Sequence, residues 1–428
     1  MGNRLVELAE AIINNTRAID AYLGENNLPT PSFDIDGPKN FGIKSEDVEA
    51  SRIKVIEASI ELADLLQGPM SFLRPLESGA PLEAISKWDI AGKIPVGETV
   101  SYADLAQQCG VHETDMQRIL RYVMVFHRLF NEPQPGYVGH SLASRLLAEE
   151  PLLRQGLWLL AEDAYSSSSC VVRALEKFKK GQEPNHTGFQ IAHGTELSAY
   201  DYMESHPEYA RRFGMAQNSY ASYSNRPAIT ESRMTLNGAF DWSSVKSGLV
   251  VDIGGSHGAD AVHIATHNPE LRVLIQDLPT QLEGAETKLP KDLLDNGRVS
   301  FMPYNFFTPQ TVSADVYLIK QCLHNWPDHY CVNIFKNQVL ALKPGAKFVI
   351  IDCAAPSPGE MTLLDERTVR AFDILMLAKA RGREREEREW LKILKEADPR
   401  FDIVSRKRFN TKGDFGPFTG IIEVIFNA

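Results

Sequence analysis

Residues 248–280 read GLVVDIGGSHGADAVHIATHNPELRVLIQDLPT, and this stretch sets the fold of the chain. A short apolar run, 249–251, ends in Asp252 and is followed by a glycine-rich turn, a helical stretch and a second apolar run that ends in Asp277. Strand, turn, helix and strand in this order form a βαβ unit whose ligand site lies at the carboxyl ends of the strands. Asp277 follows Gly258 by about 20 residues, where a carboxylate can accept both hydroxyls of a ribose. The stretch therefore predicts a nucleoside site.

The glycine pattern of this turn distinguishes two kinds of cofactor. A dinucleotide fold requires G-x-G-x-x-G, and alignment on Gly255 and Gly258 puts Ile253 in the first place, so that fingerprint fails. The pattern acid-x-Gly-Gly-x-x-Gly instead resembles motif I of S-adenosylmethionine (SAM) methyltransferases, with Asp252 as the acid and Gly254 as the first glycine. An ordinary strand-to-helix connection without a ligand is the alternative, and the rest of the chain has to decide between them.

Composition restricts the class of protein. A length of 428 residues suggests two or three domains, and 43% hydrophobic and 24% charged residues are typical of a globular protein. A net charge of −11 without a Lys/Arg run argues against a nucleic-acid or anionic membrane partner. The five cysteines are scattered without a C-x-x-C pair, so we expect reduced thiols in a cytoplasmic protein and no zinc site. No apolar run approaches the ~18 residues of a membrane span, and acidic residues interrupt the N-terminal stretch, unlike a signal peptide.

The first half of the chain has mostly helical periodicity. Apolar spacing predicts helices over 3–24 and 46–67, separated by a loop rich in Pro and Gly. Residues 84–147 have the pattern of a winged helix-turn-helix, in which Ser101 is a predicted N-cap and Thr114 precedes the second helix. Such a module can bind DNA, but its presumed recognition helix mixes acids with its arginines, so we favour packing or dimerisation.

Residues 150–225 are mostly helical and rich in aromatic side chains. Aromatics at helical spacing are more often core than ligand contacts, but these directly precede the cofactor domain, so some can line an apolar substrate pocket. The candidates are Phe189, His193 and Phe213.

From residue 248 onward the chain alternates apolar strand patterns with helical ones, which is typical of a doubly wound α/β domain. The predicted strands are 248–252, 271–276, 299–302, 315–320, 346–352 and 419–426, the last of them the end of a hairpin.

Polar residues that can carry chemistry follow these strands. His324 comes after 315–320, and an imidazole with a pKa near 6.5 can accept a phenolic proton at neutral pH. Asp352 ends the strand 346–352, and Glu384 lies in a later polar segment; either carboxylate can accept the second ring N–H of the histidine. For Glu384 alone, a solvated charge run is the simpler interpretation.

The segment Tyr304-Asn305-Phe306-Phe307 follows the strand 299–302. A polar group beside aromatic rings can hold an adenine by edge hydrogen bonds and stacking. A packed loop without a ligand is the alternative.

Five ordered stretches resemble the small-molecule O-methyltransferases of plants and fungi, a family that includes caffeic acid, flavonoid and fungal polyketide O-methyltransferases. They are VVDIGGSHG, QDLP, LHNWPD, LKPGAKFVIIDC and GRERE. The resemblance runs from about residue 84 to the end, and it implies a Rossmann-like SAM domain, a winged-helix dimerisation domain and no metal requirement. It also implies that His324 is the catalytic base and that Asp352 and Glu384 orient it. Asp277 matches the ribose-binding acid of the family, and Lys320 matches a lysine that contacts the cofactor.

The chain departs from the family pattern at a few positions. Ser256 replaces a usual glycine of motif I, which is tolerable if its φ stays negative. Asn305 stands where an Asp commonly accepts the adenine amino group, so we expect weaker but retained binding. Gln217, or Met215 beside it, takes the place of a methionine in the substrate pocket, and Asp352 is one methylene shorter than the more usual Glu.

We therefore expect an α/β protein with two domains. Residues 1–225 form a mostly helical winged-helix domain for dimerisation and for covering the substrate, and residues 226–428 form a Rossmann-like SAM-binding catalytic domain. The predicted cofactor-binding residues are Asp252, Gly254, Gly255, Gly258, Asp277, Leu278, Asn305, Phe306 and Lys320. The predicted substrate-binding residues are Phe189, His193, Phe213, Gln217 and Asn325.

The predicted activity is SAM-dependent methylation of a phenolic hydroxyl in an aromatic, polyketide-type secondary metabolite. We expect a cytoplasmic homodimer with a small aromatic substrate and with no metal, nucleic-acid or membrane partner. Two alternatives stay open: a SAM-bound pericyclase or dehydratase on the same fold, and a winged-helix regulator that responds to a ligand.

Overall fold

The structure is a computed structural model that describes residues 3–40, 42–73, 77–222, 240–245, 247–353, 355–357, 359–408 and 419–428. These residues form two compact units. The helical unit contains the described residues up to Ser166 and the helix Pro207–Ser222. The sheet unit contains Ser167–Ser205 and the described residues from 240 onward. The predicted domain division differs from this one, because it assigns 167–205 to the first domain whereas these residues pack within the sheet unit.

Polar caps begin several helices of the helical unit. The Ser101 side chain caps the helix Tyr102–Cys109, as predicted. His112 caps the next helix, Glu113–His127, so Thr114 lies inside this helix rather than before it. The other α-helices described for this unit are Arg4–Glu25, Glu46–Gln67, Pro69–Phe72, Ala80–Lys87, Leu142–Glu149 and Pro151–Trp158, and the π-helix Leu159–Ala164 follows the last of these. The division between the two units falls within the helix Tyr165–Ser169.

A small antiparallel sheet completes the helix-turn-helix. Its strands are β1 (Val100–Ser101), β2 (Asn131–Gln134) and β3 (Tyr137–Gly139), in the order β1-β3-β2. The turn between β2 and β3 forms the wing, and the predicted winged helix-turn-helix fold is confirmed.

The sheet unit is organised around seven strands. They are β4 (Leu249–Ile253), β5 (Arg272–Asp277), β6 (Val299–Pro303), β7 (Val316–Lys320), β8 (Lys347–Cys353), β9 (Phe401–Arg408) and β10 (Thr419–Phe426). Their order is β6-β5-β4-β7-β8-β10-β9; the first five are parallel, and β10 is antiparallel to both of its neighbours. Six strands agree with the prediction to within one residue at each end. The seventh, β9, was not predicted, because its sequence FDIVSRKR carries the charges that an edge strand tolerates.

Helices cover both faces of this sheet. On β4, Val251 and Ile253 point into one apolar layer and Val250 points into the other. Burial on both faces explains the continuous apolar runs of the sequence. The helices of the unit are Val171–Phe178, Gly188–His193, Ala199–Ser205, Ala259–His267, Pro279–Leu282, Lys291–Asp295, Asp328–Gln338, Leu363–Lys379 and Glu387–Ala397.

The strand order fixes where a ligand can bind. β4 lies between β5 and β7, so the connections leave β4 in opposite directions and open a crevice at the carboxyl ends of these strands. Among the helices that the structure describes, none has the length and apolar character needed to cross a bilayer.

Candidate active site

The glycine turn after β4 brings the backbone to places where a side chain would collide. Gly254 and Gly258 have φ values of +74° and +79°, in the left-handed region that glycine adopts without strain. A Cβ on Gly254 would lie 2.7 Å from Sγ of Cys322, and one on Gly258 would lie 2.4 Å from Cδ1 of Ile275. The turn therefore requires glycine at both positions.

Ser256 has a positive φ, so the negative φ under which a serine would be tolerated at this position is not found. Its φ is +48°, in the left-handed region that costs a residue with a side chain about 1 kcal/mol. Its N–H donates a 2.8 Å hydrogen bond to Oδ2 of Asp277. The condition of a negative φ is not met, and this hydrogen bond offsets the strain.

Asp277 ends β5 with its carboxylate held by two backbone amides. Oδ2 accepts the Ser256 N–H, and Oδ1 accepts the Leu278 N–H at 2.7 Å. Burial raises the pKa of Asp277, although the two amides act in the opposite direction. Since each carboxylate oxygen has a second lone pair, the group can still accept hydroxyl donors from a ligand.

Asp252 is a buried carboxylate beneath the glycine turn. It is 2% exposed, and its Oδ2 has no hydrogen-bond partner among the described residues. Burial, reinforced by the nearby carboxylate of Asp260, raises the pKa of Asp252 to about 8. A Cβ on Gly255 would lie only 2.5 Å from this oxygen. An unsatisfied buried acceptor in a ligand crevice is a candidate for contact with a donor group of the ligand.

Lys320, at the end of β7, is held by a carboxylate. Its Nζ donates to Oδ1 and Oδ2 of Asp260 at 2.8 and 2.9 Å. Asp260 lies in the first turn of the helix Ala259–His267, directly after the glycine turn. The ion pair ties the end of β7 to the start of this helix.

The loop after β6 carries the residues predicted to contact adenine. Asn305 is exposed, and its Oδ1 accepts the Phe307 N–H at 2.9 Å. The rings of Phe306 and Phe307 pack edge-on against Trp326, at centroid distances of 6.1 and 4.7 Å. The aromatic rings therefore join this loop to the segment that carries His324.

His324 lies between two buried carboxylates. Its Nδ1 is 2.9 Å from Oε1 of Glu384 and 3.6 Å from Oδ1 of Asp352, and its backbone N–H donates to Oδ2 of Asp352 at 3.0 Å. The side chains of Asp352 and Glu384 are 1% and 3% exposed, and that of His324 is 17% exposed. Burial opposes the charging of the imidazole, but Asp352 and Glu384 together raise the pKa of His324 to about 9.

The loop that carries Glu384 packs directly on the segment around His324. The Arg383 N–H donates to the His324 carbonyl at 2.9 Å, and a Cβ on Gly382 would lie 2.0 Å from the same oxygen. The fully buried Arg385 donates to the carbonyl of Leu323 at 3.0 Å. These contacts leave little freedom in the position of Glu384 relative to the imidazole.

Three of the residues predicted to bind substrate lie in the sheet unit. Phe189 is buried and stacks on His193, with ring centroids 4.1 Å apart, at the end of the helix Gly188–His193. Asn325 follows His324, and its Nδ2 donates to the Cys322 carbonyl at 3.2 Å. All three are therefore present in the unit that carries the candidate base.

The other two predicted substrate residues lie in the helical unit, on the helix Pro207–Ser222. Phe213 packs with Trp158, and Gln217 is exposed. Their contact with the substrate stays a prediction.

A family model described as an O-methyltransferase domain matches residues 174–399 of the chain. The chain belongs to the O-methyltransferase family. The O-methyltransferase pyvH of Aspergillus violaceofuscus is 44% identical to it, over 100% of this chain and 99% of the relative. The grayanic acid biosynthesis cluster O-methyltransferase of Cladonia grayi is 40% identical, over 100% of this chain and 88% of the relative. The predicted family is confirmed.

The fold of this O-methyltransferase also matches a solved structure. The structure of LepI in complex with SAM superposes with a TM-score of 0.69, at 20% identity, over 98% of this chain and 100% of the other. At this identity the likeness shows the fold alone, and the predicted fold class is confirmed. The cofactor of this methyltransferase is SAM.

The crevice of the O-methyltransferase fits a nucleoside that carries a cation. Asp277 offers carboxylate oxygens at a strand end, and Asp252 has a buried oxygen without a hydrogen-bond partner among the described residues. Carboxylates attract the positive charge of a sulfonium.

Several features of the site were not predicted from the sequence. The partner of Lys320, Asp260, gives no local signal, because the two residues meet only in the folded sheet. A network of amide side chains also lies beside the loop after β6. In it, Gln276 Nε2 donates to Gln310 Oε1 at 3.0 Å, and Gln338 Nε2 donates to the Tyr304 hydroxyl at 3.0 Å. The glutamines within apolar runs were the available signal.

The three residues around the candidate base could also hold an ion. His324, Asp352 and Glu384 each offer one ligand atom, and these three atoms lie within 4.8 Å of one another. Such a set of donors suits a divalent cation. The expectation that the enzyme needs no metal stays a prediction.

The raised pKa of Asp252 predicts how the free energy of unfolding depends on pH. Its folded pKa of about 8 exceeds its ordinary value of 3.8, so between these pH values the unfolded chain has lost a proton that the folded protein keeps, and stability falls as pH rises. Asp252→Asn cannot ionise. We expect its free energy of unfolding, relative to wild type, to increase by up to about 1.4 kcal/mol per pH unit between pH 5 and pH 8.

Urea unfolding of the cofactor-free protein at several pH values measures this difference. Asp295→Asn, which changes an exposed carboxylate, is the matched control and should follow the wild-type pH dependence. Parallel curves for Asp252→Asn and wild type would contradict the assignment of a buried, protonated Asp252.

Proposed function

We propose that this O-methyltransferase methylates a phenolic hydroxyl of an aromatic, polyketide-type metabolite, with His324 as the general base. The observation that carries the proposal is the 2.9 Å contact between Nδ1 of His324 and the buried carboxylate of Glu384. A carboxylate oxygen at this distance favours the neutral tautomer with its proton on Nδ1, in which Nε2 would accept a proton from the substrate. The relatives, named as O-methyltransferases, support the reaction class.

The raised pKa of His324 suits a phenol. A phenol such as that of tyrosine ionises near pH ~10, so an imidazole with a pKa of about 9 accepts its proton at little cost. Asp352 and Glu384 then lie beside the imidazolium and stabilise its charge. Both carboxylates are positioning residues in this proposal, because they act on the substrate through the ring of His324.

The cofactor-binding residues are proposed from the strand ends. Gly254, Gly255 and Gly258 give the cofactor access to the backbone, and Asp252 supplies an acceptor beneath it. Asp277 accepts the ribose hydroxyls, and the backbone N–H of Leu278 fixes the carboxylate of Asp277. Asn305 and Phe306 face the adenine, and Lys320 contacts the cofactor. SAM supplies an activated methyl group when bound, so alignment and proton removal are the main tasks of the protein.

The substrate-binding residues are proposed on both units. The stacked rings of Phe189 and His193 offer a flat apolar surface, and Asn325 lies beside the base. Phe213 and Gln217 complete the proposed set from the helical unit. The covering role expected of residues 1–225 stays a prediction.

The central prediction concerns the base. His324→Ala should lower the rate of methyl transfer by a factor of about 10² or more, because it removes proton transfer, while the affinity for S-adenosylhomocysteine (SAH) changes little. The measurement uses methyl-labelled SAM with a panel of polyketide phenols and detects SAH and methylated product by mass spectrometry. Calorimetry gives the SAH affinity.

His329→Ala is the matched control, because His329 lies five residues further along and its side chain is 55% exposed; we expect near-normal turnover. The same assay in excess EDTA tests the predicted independence of metal. A near-normal rate for His324→Ala would contradict the assignment of His324 as the base. Product formation without SAH would favour the pericyclase or dehydratase alternative.

A second prediction concerns pH. Because His324 must be neutral to accept a proton, kcat/KM should rise with pH up to an apparent pKa of about 9 in the free enzyme. Asp352→Asn removes a negative charge that stabilises the imidazolium, so this midpoint should shift to lower pH. Initial rates between pH 6 and pH 10 measure it. An unchanged midpoint would remove Asp352 from the proposed role.

We further propose a cytoplasmic homodimer without a nucleic-acid or membrane partner. The first two helices expose apolar side chains that a second copy could cover, namely Leu5, Val6, Ile13, Leu65 and Leu66. Arg121 of the presumed recognition helix is paired with Glu132 at 2.8 Å, which leaves it less available to phosphate.

Sedimentation of the wild-type protein should therefore give the mass of a dimer, and duplex DNA added at low salt should not change it. Leu5→Glu with Leu66→Glu should shift the mass toward the monomer, because charge disfavours burial of this surface. Cell fractionation tests the location. A monomeric wild type, or binding of DNA that weakens with salt, would contradict these proposals.

A further inference from the structure

Arg381 is a buried cation without an anion. It is 8% exposed, its Nε is fully enclosed, and its guanidinium has no hydrogen-bond or ion-pair partner among the described residues. The neighbouring charges of the same loop are paired, Arg383 with Asp328 at 2.6 Å and Glu384 with His324 at 2.9 Å. Since a buried charge is strongly unfavourable without a partner, the missing anion is expected to come from a ligand.

The backbone of Arg381 supports the same conclusion. Its φ is +59°, in the left-handed region that residues with long side chains rarely adopt. Strained backbone conformations of this kind concentrate at ligand sites, where the surrounding structure imposes them.

The residues on either side of Arg381 contact the helix of the proposed substrate surface and the segment of the proposed base. Two residues before it, the carbonyl of Lys379 accepts a 3.4 Å hydrogen bond from Thr187, the N-cap of the helix that carries Phe189 and His193. One residue after it, Gly382 packs on the backbone of the segment around the base. Arg381 is therefore in the part of the sheet unit where an acceptor would lie.

Among the described residues, no acid compensates the charge of Arg381. Burial alone lowers its pKa, with no contribution from a carboxylate on any element packed against it. A guanidinium nevertheless stays protonated at every physiological pH, so the site holds a permanent positive charge.

We propose that Arg381 binds a carboxylate on the aromatic acceptor, so that the enzyme selects phenolic acids over neutral phenols. The inference rests on the proposed function, because it takes the acceptor to be a phenol whose hydroxyl reaches His324. The planar guanidinium can bind a carboxylate through two parallel hydrogen bonds, which would orient the ring as well as hold it. The methionine carboxylate of SAM is another source of the same group, and the test separates the two.

The first measurement is of binding, and it requires no turnover. Benzoate and benzamide have the same shape and differ in charge, and calorimetry gives their dissociation constants for the full-length protein saturated with SAH. We expect benzoate to bind wild type at least about tenfold more tightly than benzamide, and Arg381→Gln to bring this ratio close to one.

Two further variants provide the controls. Arg381→Gly suits the left-handed backbone, so it should keep or raise the thermal unfolding midpoint while it also loses the preference for benzoate. Arg388→Gln removes an arginine whose side chain is 81% exposed and should keep the wild-type ratio. Equal binding of benzoate and benzamide by wild type, or a preference for benzoate that survives in both Arg381 variants, would overturn the proposal.

The cofactor arm compares SAH with methylthioadenosine, which lacks the methionine carboxylate. If Arg381 binds the acceptor, Arg381→Gln should change both affinities by less than about threefold. A loss of SAH affinity that spares methylthioadenosine would assign Arg381 to the cofactor and overturn the acceptor assignment.

The activity arm compares 2,4-dihydroxybenzoate with resorcinol as methyl acceptors. A wild-type kcat/KM at least about tenfold higher for the acid, with the ratio lost in Arg381→Gln, supports the proposal. Efficient methylation of resorcinol with no preference for the acid would overturn it while leaving the proposed function intact. Failure of every phenol in the earlier panel, with benzoate selectivity retained, would instead count against the proposed function alone.

Discussion

The hydrogen bond between Nδ1 of His324 and Oε1 of Glu384 is the constraint on which the candidate site depends. It requires a loop 60 residues further along the chain to lie against the segment that follows β7. Gly382 allows this approach because any side chain there would meet a backbone carbonyl, and the buried Arg385 holds the same segment through its carbonyl groups. In the proposed mechanism the buried carboxylates orient the ring and hold its proton on Nδ1, which a solvated imidazole would not do.

Negative charge at the strand ends complements this arrangement. Burial raises the pKa of Asp252 most, the carboxylates of Asp260 and Asp277 raise it further, and Lys320 lowers it. Asp252 therefore keeps its proton up to about pH 8, and Lys320 balances the charge of Asp260. In the proposed function, the positive sulfonium of SAM would be attracted by the negative charge of Asp277 at the same strand ends.

The elements that could be predicted from the sequence are those with local signals. The parallel strands were found because burial on both faces makes each of them a continuous apolar run, and the candidate base and its two acids were found because their motifs occur in a recognisable order. The edge strand β9, the cap formed by His112 and the pairing of Lys320 with Asp260 were not found. Each of these depends on which neighbour the backbone meets, and hydrophobic periodicity does not contain that information.

The sequence by itself determined the βαβ unit, its glycine turn and the residue types available at the strand ends, because apolar spacing and the absence of a Cβ act over a few residues. Only the tertiary structure decided how the charges of the segment RGRERE divide. In the sequence they look like one solvated run. In the folded protein Glu384 faces His324 and Arg383 pairs with Asp328, while Arg381 is buried with no anionic partner in the part of the chain that the structure describes. Burial and pairing are set by elements far away in the chain, so no local pattern can assign them.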